Sequence, residues 1–153
     1  MKKMCVFASL FAAFCIILML PGCGTRGYGP VLKANWGLQL PAEAECREIY
    51  EADSSVGFQG DGLRYHIYDC TETDALAVAL EVWSNRAGQG ADGSQLAEKA
   101  EEYLTELSVP TEKRPEYENC LFWFKAGEDD SRDQILLLLD GESNRLYVIE
   151  SFM

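Results

Sequence analysis

A run of isoleucine and leucine near the end of the chain, within residues 134–139, constrains the fold more than any other segment. Side chains of a strand alternate between two faces, so an uninterrupted apolar run predicts a central strand covered on both faces. Residues 119–125 form an aromatic-rich candidate strand before it. Residues 140–144 predict a hairpin connection, and residues 146–152 a closing strand. The last third is therefore expected to be a three-stranded meander.

Two further strands are predicted earlier in the chain. Residues 45–53 carry apolar side chains among charges, and residues 63–70 are rich in aromatic residues, which favour a pleated surface. Residues 36–40 alternate apolar side chains with glycine and glutamine. This alternation is compatible with a short edge strand or with an extended segment laid on the core.

Two helices are predicted between these strands and the meander. Residues 94–108 are amphipathic, with apolar side chains on one helical face at Leu96, Ala100, Leu104 and Leu107. Residues 75–85 leave two alternatives open, because their apolar residues also alternate as in a strand. Their alanines and the Thr73-Asp74 start favour a helix.

The order of these elements predicts an α+β fold. We expect a mainly antiparallel sheet of about five strands with two helices packed on one face. Residues 36–153 are expected to form this single domain, since 48% of the chain is hydrophobic and can supply a core.

The N-terminal segment has the order of a secretion signal. Lys2 and Lys3 precede 17 residues, 4–20, in which only Ser9 is clearly polar, and Pro21-Gly22-Cys23 follows. The segment resembles the signal peptide and cleavage box of bacterial lipoproteins. That resemblance implies that residues 1–22 are removed and that Cys23 carries lipid, including palmitate-type acyl chains.

The same resemblance implies an extracytoplasmic protein, lipid-anchored to the plasma membrane, with residues 23–35 as a flexible tether. The alternatives are an uncleaved N-terminal anchor and an ordinary signal peptide cut elsewhere. Either alternative also positions most of the chain outside the cytoplasm.

The charge of the chain narrows its partners. The net charge is −12, and removal of residues 1–22, which contain Lys2 and Lys3 and no acid, makes it −14. Such a charge disfavours nucleic acid and electrostatic docking on an anionic membrane. Membrane attachment is therefore expected through the lipid at Cys23, and an envelope protein or a small ligand remains a possible partner.

Three cysteines lie beyond the predicted signal and lipid site. Cys46, Cys70 and Cys120 allow at most one intrachain disulfide. Cys46 and Cys70 lie on two arms of a predicted hairpin and could approach each other. Buried free thiols are nevertheless the expectation for all three.

One turn region contains the candidate ligand residues, namely Asp53, Gly60, Asp61, Gly62 and His66. Its glycines permit positive φ, and Asp61 could cap its own turn or join Asp53 around a cation. The calcium-loop pattern fails at Gly57 and Arg64. A structural turn is therefore favoured, and no metal site or cofactor is predicted.

No catalytic set emerges from the remaining residues. His66 is the only histidine, and a Cys46–His66 pair across the hairpin is a weak alternative to a hydrogen-bonded histidine. The acidic run 128–130 is expected to be solvated. The alternation of 119–125 turns Trp123 away from its neighbours, so an exposed Trp123 is a candidate contact for sugar or protein.

Residues 36–41, Trp-Gly-Leu-Gln-Leu-Pro, and residues 51–62, which include Gly57-Phe58-Gln59-Gly60-Asp61-Gly62, carry a second resemblance. They are similar to a family of uncharacterised small secreted or lipid-anchored proteins of Gram-positive bacteria with a Gly-Phe-x-Gly-Asp-Gly turn. The resemblance implies location and fold, and it implies no activity.

The leading hypothesis is a non-catalytic, lipid-tethered domain that binds a partner or ligand at the cell envelope. Two alternatives stay open. One is a small envelope hydrolase that uses paired carboxylates. The other is an inhibitor or immunity lipoprotein that recognises a basic partner by charge.

Overall fold

A five-stranded antiparallel sheet forms the centre of the protein. The computed structural model describes residues 27–55, 61–85 and 93–153. The strands are β1 (Arg47–Asp53), β2 (Gly62–Asp69), β3 (Cys120–Ala126), β4 (Gln134–Asp140) and β5 (Arg145–Phe152). They lie in the order β1-β2-β5-β4-β3, and every neighbouring pair is antiparallel. The predicted α+β class with its antiparallel sheet is confirmed.

Helices cover both faces of this sheet. The α-helices are α1 (Gly29–Trp36), α2 (Thr73–Asn85) and α3 (Gly93–Glu106), and short 3₁₀ turns occur at Ala42–Ala44, Thr111–Lys113 and Tyr117–Asn119. Side chains of α1 and α2 belong to the core on one face, and those of α3 belong to the core on the other. The expectation that the two predicted helices share one face is therefore wrong. None of the helices in the described ranges is long and apolar enough to cross a membrane.

The apolar run in β4 explains the two layers. Ile135, Leu137 and Leu139 enter the core beneath α1 and α2, whereas Leu136 and Leu138 enter the core beneath α3. All five are buried. Each fully buried leucine contributes about 1.5–3 kcal/mol relative to exposure, so leaving either face open would forfeit several kcal/mol.

Helix α1 occupies residues 29–35 of the expected tether of residues 23–35, of which residues 23–26 lie outside the described residues. Pro30 lies in its first turn, and Leu32 and Trp36 are buried. The helix ends at Gly37, which has a φ of +65° and donates its N–H to the Lys33 carbonyl. Glycine tolerates this left-handed conformation, which is common just after a helix. Residues 37–41 are not part of the sheet, and Leu38 belongs to the core, so the alternative of a segment laid on the core holds and that of an edge strand does not.

Residues 75–85 are helical, which resolves the second open alternative. Leu76, Leu80 and Trp83 face the core at helical spacing. Val78 and Val82 are exposed, Val78 at 67%. A strand would have put Val78 on the same side as Leu80. The alanines and the start at Thr73 therefore predicted this element correctly.

A disulfide joins Cys46 to Cys70, with their Cα atoms 4.1 Å apart. The expectation of free thiols is wrong for these two residues. Pairing of Arg47 with Asp69 brings the flanking cysteines together at the open end of the β1–β2 hairpin. Cys120 is a free, half-buried cysteine. Burial, together with the nearby carboxylates of Asp140 and Glu116, raises the pKa of its thiol to about 12.

Because β4 is buried on both faces, shortening one of its core side chains should lower the free energy of unfolding. We expect Leu137→Ala to lower the free energy of unfolding by about 2–5 kcal/mol, because it leaves a cavity against Trp123 and α2. Leu121→Ala on the same face of β3 is the control, since Leu121 is 56% exposed. Urea denaturation followed by tryptophan fluorescence measures both. Equal losses in the two variants would contradict the assignment of the core.

Candidate functional site

The described residues of the predicted turn site mainly stabilise the turn itself. The Asp53 carboxylate accepts hydrogen bonds from the Ser55 N–H, at 2.6 Å, and from its hydroxyl, and lies 3.5 Å from the Arg64 Nε. Partial burial acts to raise the pKa of Asp53, but the Ser55 hydrogen bonds and the charge of Arg64 outweigh it and lower the pKa. Asp53 is therefore held as an ionised cap on its own turn.

Gly62 has a geometric role in the same turn. Its φ is +140°, and an added Cβ would lie 2.9 Å from the Ser55 Cα. Glycine is thus required for this close approach. Asp61 is exposed, and Gly60 lies outside the described residues. The described part of the candidate set therefore functions as a turn, and His66 belongs to a different cluster.

His66 lies on the sheet face covered by α1. It is 4% exposed, and its Nδ1 lies 2.5 Å from the Glu48 Oε1. The Tyr28 ring stacks on the imidazole with their centroids 3.8 Å apart. The alternative of a Cys46–His66 thiol pair is wrong, because Cys46 is in the disulfide.

A β-bulge in β1 directs a second carboxylate toward His66. Glu48 pairs with Tyr68 and Glu51 with His66, although only one additional paired position, Tyr50 opposite Ile67, lies between them. Residues three apart normally lie on opposite faces of a strand. Ile49 is the extra residue of the bulge, and its insertion puts Glu48 and Glu51 on the same face as His66. Bulges commonly redirect side chains in this way.

These three side chains form a compact group of possible metal ligands. One ligand atom from each of Glu48, Glu51 and His66 lies within 4.8 Å of the other two. His66 is buried, Glu48 is half-buried and Glu51 is exposed, so the group opens toward solvent along the edge strand. Sequence spacing did not indicate this group, because it depends on strand pairing and the bulge.

Buried polar side chains surround the group. The Tyr68 hydroxyl has no hydrogen-bond partner among the described residues. Burial raises the pKa of Tyr68, and the negative charges of Glu48, Glu150 and Glu51 raise it further. The Tyr68 hydroxyl is therefore a buried, unpartnered group on the strand position opposite Glu48.

Glu150 lies deeper on the same face and is 0% exposed. Its Oε1 accepts a hydrogen bond from the Trp36 Nε1 at 2.5 Å, and Arg64 lies opposite it on β2. The Arg64 Nη1 also donates to the Tyr28 hydroxyl at 3.3 Å. Burial, with the adjacent Glu150, raises the pKa of Tyr28. Residues of α1 and its N-cap therefore cover the charged end of the sheet.

A second polar region is a groove of about 650 Å³ on another part of the surface. Among its carboxylates, Glu101 pairs with Arg114 and accepts a hydrogen bond from the Tyr117 hydroxyl at 2.9 Å. Asp140 accepts hydrogen bonds from the Glu142 N–H and from the Ser143 N–H and hydroxyl. These acids are used for local structure.

Two further candidates are resolved. Trp123 is only 7% exposed, and its Nε1 donates to the Glu81 Oε2 at 3.2 Å. The expectation of an exposed Trp123 as a sugar or protein contact is therefore wrong. In the acidic run 128–130, Arg132 lowers the pKa of Asp130 to about 2.

Comparison with protein-family models gives no match. Comparisons with curated proteins and with solved structures give no significant similarity either. The resemblances drawn from the sequence therefore stay predictions, and the site is argued from its own geometry.

The hydrogen bonds of the Asp140 turn lead to a prediction about how stability depends on pH. Partial burial acts to raise the pKa of Asp140, but the hydrogen bonds from Ser143 and Glu142 lower it below its ordinary value. A lowered folded-state pKa gives stability that is present above the ordinary Asp value of about 3.9 and lost as pH falls through the lowered pKa. We expect Asp140→Asn to cost about 1–3 kcal/mol at pH 7 and progressively less in acid.

Urea denaturation at several pH values measures this difference. Asp129→Asn is the matched control, because Asp129 is exposed in a surface loop. A loss for Asp140→Asn that stays constant down to strongly acidic pH would contradict the role of the ionised carboxylate.

Proposed function

We propose that the protein is a lipid-anchored, non-catalytic binding domain of the cell envelope, held to the plasma membrane through Cys23. The N-terminal order of basic residues, apolar run and Pro21-Gly22-Cys23 motivates the anchor. Two acyl chains suffice for stable attachment of such a domain, whereas one alone binds marginally.

The disulfide between Cys46 and Cys70 is the observation that carries this proposal. Disulfides persist in extracytoplasmic compartments and are rare in the reducing cytosol. A cross-link that closes the end of the β1–β2 hairpin is therefore suited to a protein that folds after export.

The start of the folded domain bears on how close it lies to the bilayer. Tyr28, which stacks on His66, is five residues after Cys23. Five residues span at most about 18 Å. On this proposal the domain stays next to the membrane, and its negative charge keeps it from lying on anionic headgroups.

Three carboxylates with lowered pKa values are unsuited to the acid role in hydrolysis. A carboxylic acid that protonates a leaving group needs a raised pKa. In contrast, the pKa values of Asp53, Asp130 and Asp140 are all lowered. Each of these groups is ionised and engaged with its own turn or with a neighbouring arginine, which makes it a poor proton donor.

Replacing the proposed lipid site tests the anchor. We expect Cys23→Ser to move the protein from the membrane fraction to the soluble or secreted fraction, because serine has no thiol to accept the lipid. Cys120→Ser is the matched control, since Cys120 is a free cysteine within the folded domain. Fractionation and immunoblotting measure both. Membrane retention of Cys23→Ser equal to that of the control would refute the anchor.

A further inference from the structure

We propose that Glu48, Glu51 and His66 bind one divalent first-row transition-metal ion, of which Zn²⁺ is the representative. This inference deepens the proposed function, since it names a ligand class for the binding domain. It rests on the described geometry of the β1–β2 hairpin and does not depend on the lipid.

The distances fit an ion after a small side-chain movement. One ligand atom from each residue lies within 4.8 Å of the other two, and the His66 Nδ1 lies 2.5 Å from the Glu48 Oε1. Two ligand atoms on one tetrahedral zinc ion lie roughly 3.3 Å apart, since each is bound at about 2.0–2.1 Å. The metal would take the place of the shared proton, and rotation of Glu48 on the edge strand would open the space.

The donor atoms select the class of ion. Imidazole suits Zn²⁺ and the neighbouring transition metals, whereas Ca²⁺ and Mg²⁺ favour sites made of oxygen alone. The nearest sulfur atoms, those of Cys46 and Cys70, are bonded to each other and offer no thiolate. A site of one nitrogen and two carboxylates therefore favours a borderline divalent ion over Cu(I).

The backbone holds the ligands before any ion binds. The bulge at Ile49 turns Glu48 and Glu51 to one face, and the disulfide fixes the hairpin two residues before Glu48. Stacking against Tyr28 holds the imidazole of His66. This arrangement reduces the ordering that metal binding would otherwise require.

The unpartnered Tyr68 hydroxyl is an independent observation pointing to a ligand. Tyr68 is buried and pairs with Glu48 across β1 and β2, and its hydroxyl lacks a hydrogen-bond partner in the described part of the chain. A buried hydroxyl without a partner is costly. A hydroxide or another anion bound to the metal at an open position would accept its hydrogen bond.

Charge and access also favour a cation. Arg64 lies beside Asp53 and Glu150, whereas Glu51 makes no ion pair with any described residue. Glu48 and Tyr68 line an open groove of about 320 Å³ beside the start of α1. An ion can thus reach the carboxylates from solvent.

Zinc titration of the full chain in mild detergent tests the inference. We expect one Zn²⁺ per chain in competition with a chromophoric chelator, and at least a tenfold loss of affinity in Glu48→Gln/Glu51→Gln. The matched control is Glu98→Gln/Glu106→Gln, which removes two exposed carboxylates of α3 and should retain the wild-type affinity. Co²⁺ absorption provides a second readout, since nitrogen and oxygen ligation gives visible bands without a thiolate charge-transfer band.

The outcomes separate this inference from the proposed anchor. Equal zinc affinity in both double variants would mean adventitious binding to surface acids and would overturn the site. Absence of zinc binding would also overturn it, while membrane loss of Cys23→Ser would still support the anchor. Should the double variant unfold, Glu51→Gln alone decides, because Glu51 is exposed and its loss leaves the core unchanged.

Discussion

Burial of β4 and β5 on both faces is the constraint on which the other elements depend. Leu136 and Leu138 must be covered on one face of the sheet, and Leu137 and Val148 on the other. The chain satisfies this demand by sending α3 to one face and α2 to the other. Helix α2 contacts β3, and α1 contributes Leu32 and Trp36 to the same core. The helix that follows the N-terminal segment is therefore part of the core.

The group of Glu48, Glu51 and His66 lies where the apolar part of the sheet face covered by α1 and α2 ends. On β5 the inward positions change from Leu146 and Val148 to Glu150, which is fully buried. A buried carboxylate is costly unless it is hydrogen-bonded and near opposite charge. Trp36 of α1 donates a hydrogen bond to Oε1 of Glu150, and Arg64 of β2 supplies the opposite charge nearby, while Oε2 has no hydrogen-bond partner among the described residues. The edge strand β1 pairs with β2 and brings the carboxylates of Glu48 and Glu51 close to His66, at the boundary between core and solvent.

Local pattern predicted most elements, because helix and strand periods are properties of short segments. The leucine run of β4 already required cover on both faces, so the single helical layer conflicted with it. Helix α1 was missed because Gly29 and Pro30 read as tether residues, and its stability comes from tertiary burial of Trp36. The disulfide and the bulge depend on strand register, which one sequence does not specify. Of the residues predicted as a candidate site, only His66 belongs to the group of possible metal ligands. No local sequence pattern pointed to its other two members, Glu48 and Glu51.

One segment links attachment and binding. Tyr28 stacks on His66, and its hydroxyl meets Arg64 beside Glu150. On the proposed function, the same residue lies about 18 Å or less from the lipid, so it connects the anchor directly to the ligand group. Any movement of α1 away from the sheet would uncover Glu150 and release one face of the imidazole. The free-energy cost of exposing the apolar surface of Trp36 to water opposes that movement. The core contact that fixes α1 therefore also holds the proposed metal ligands in position.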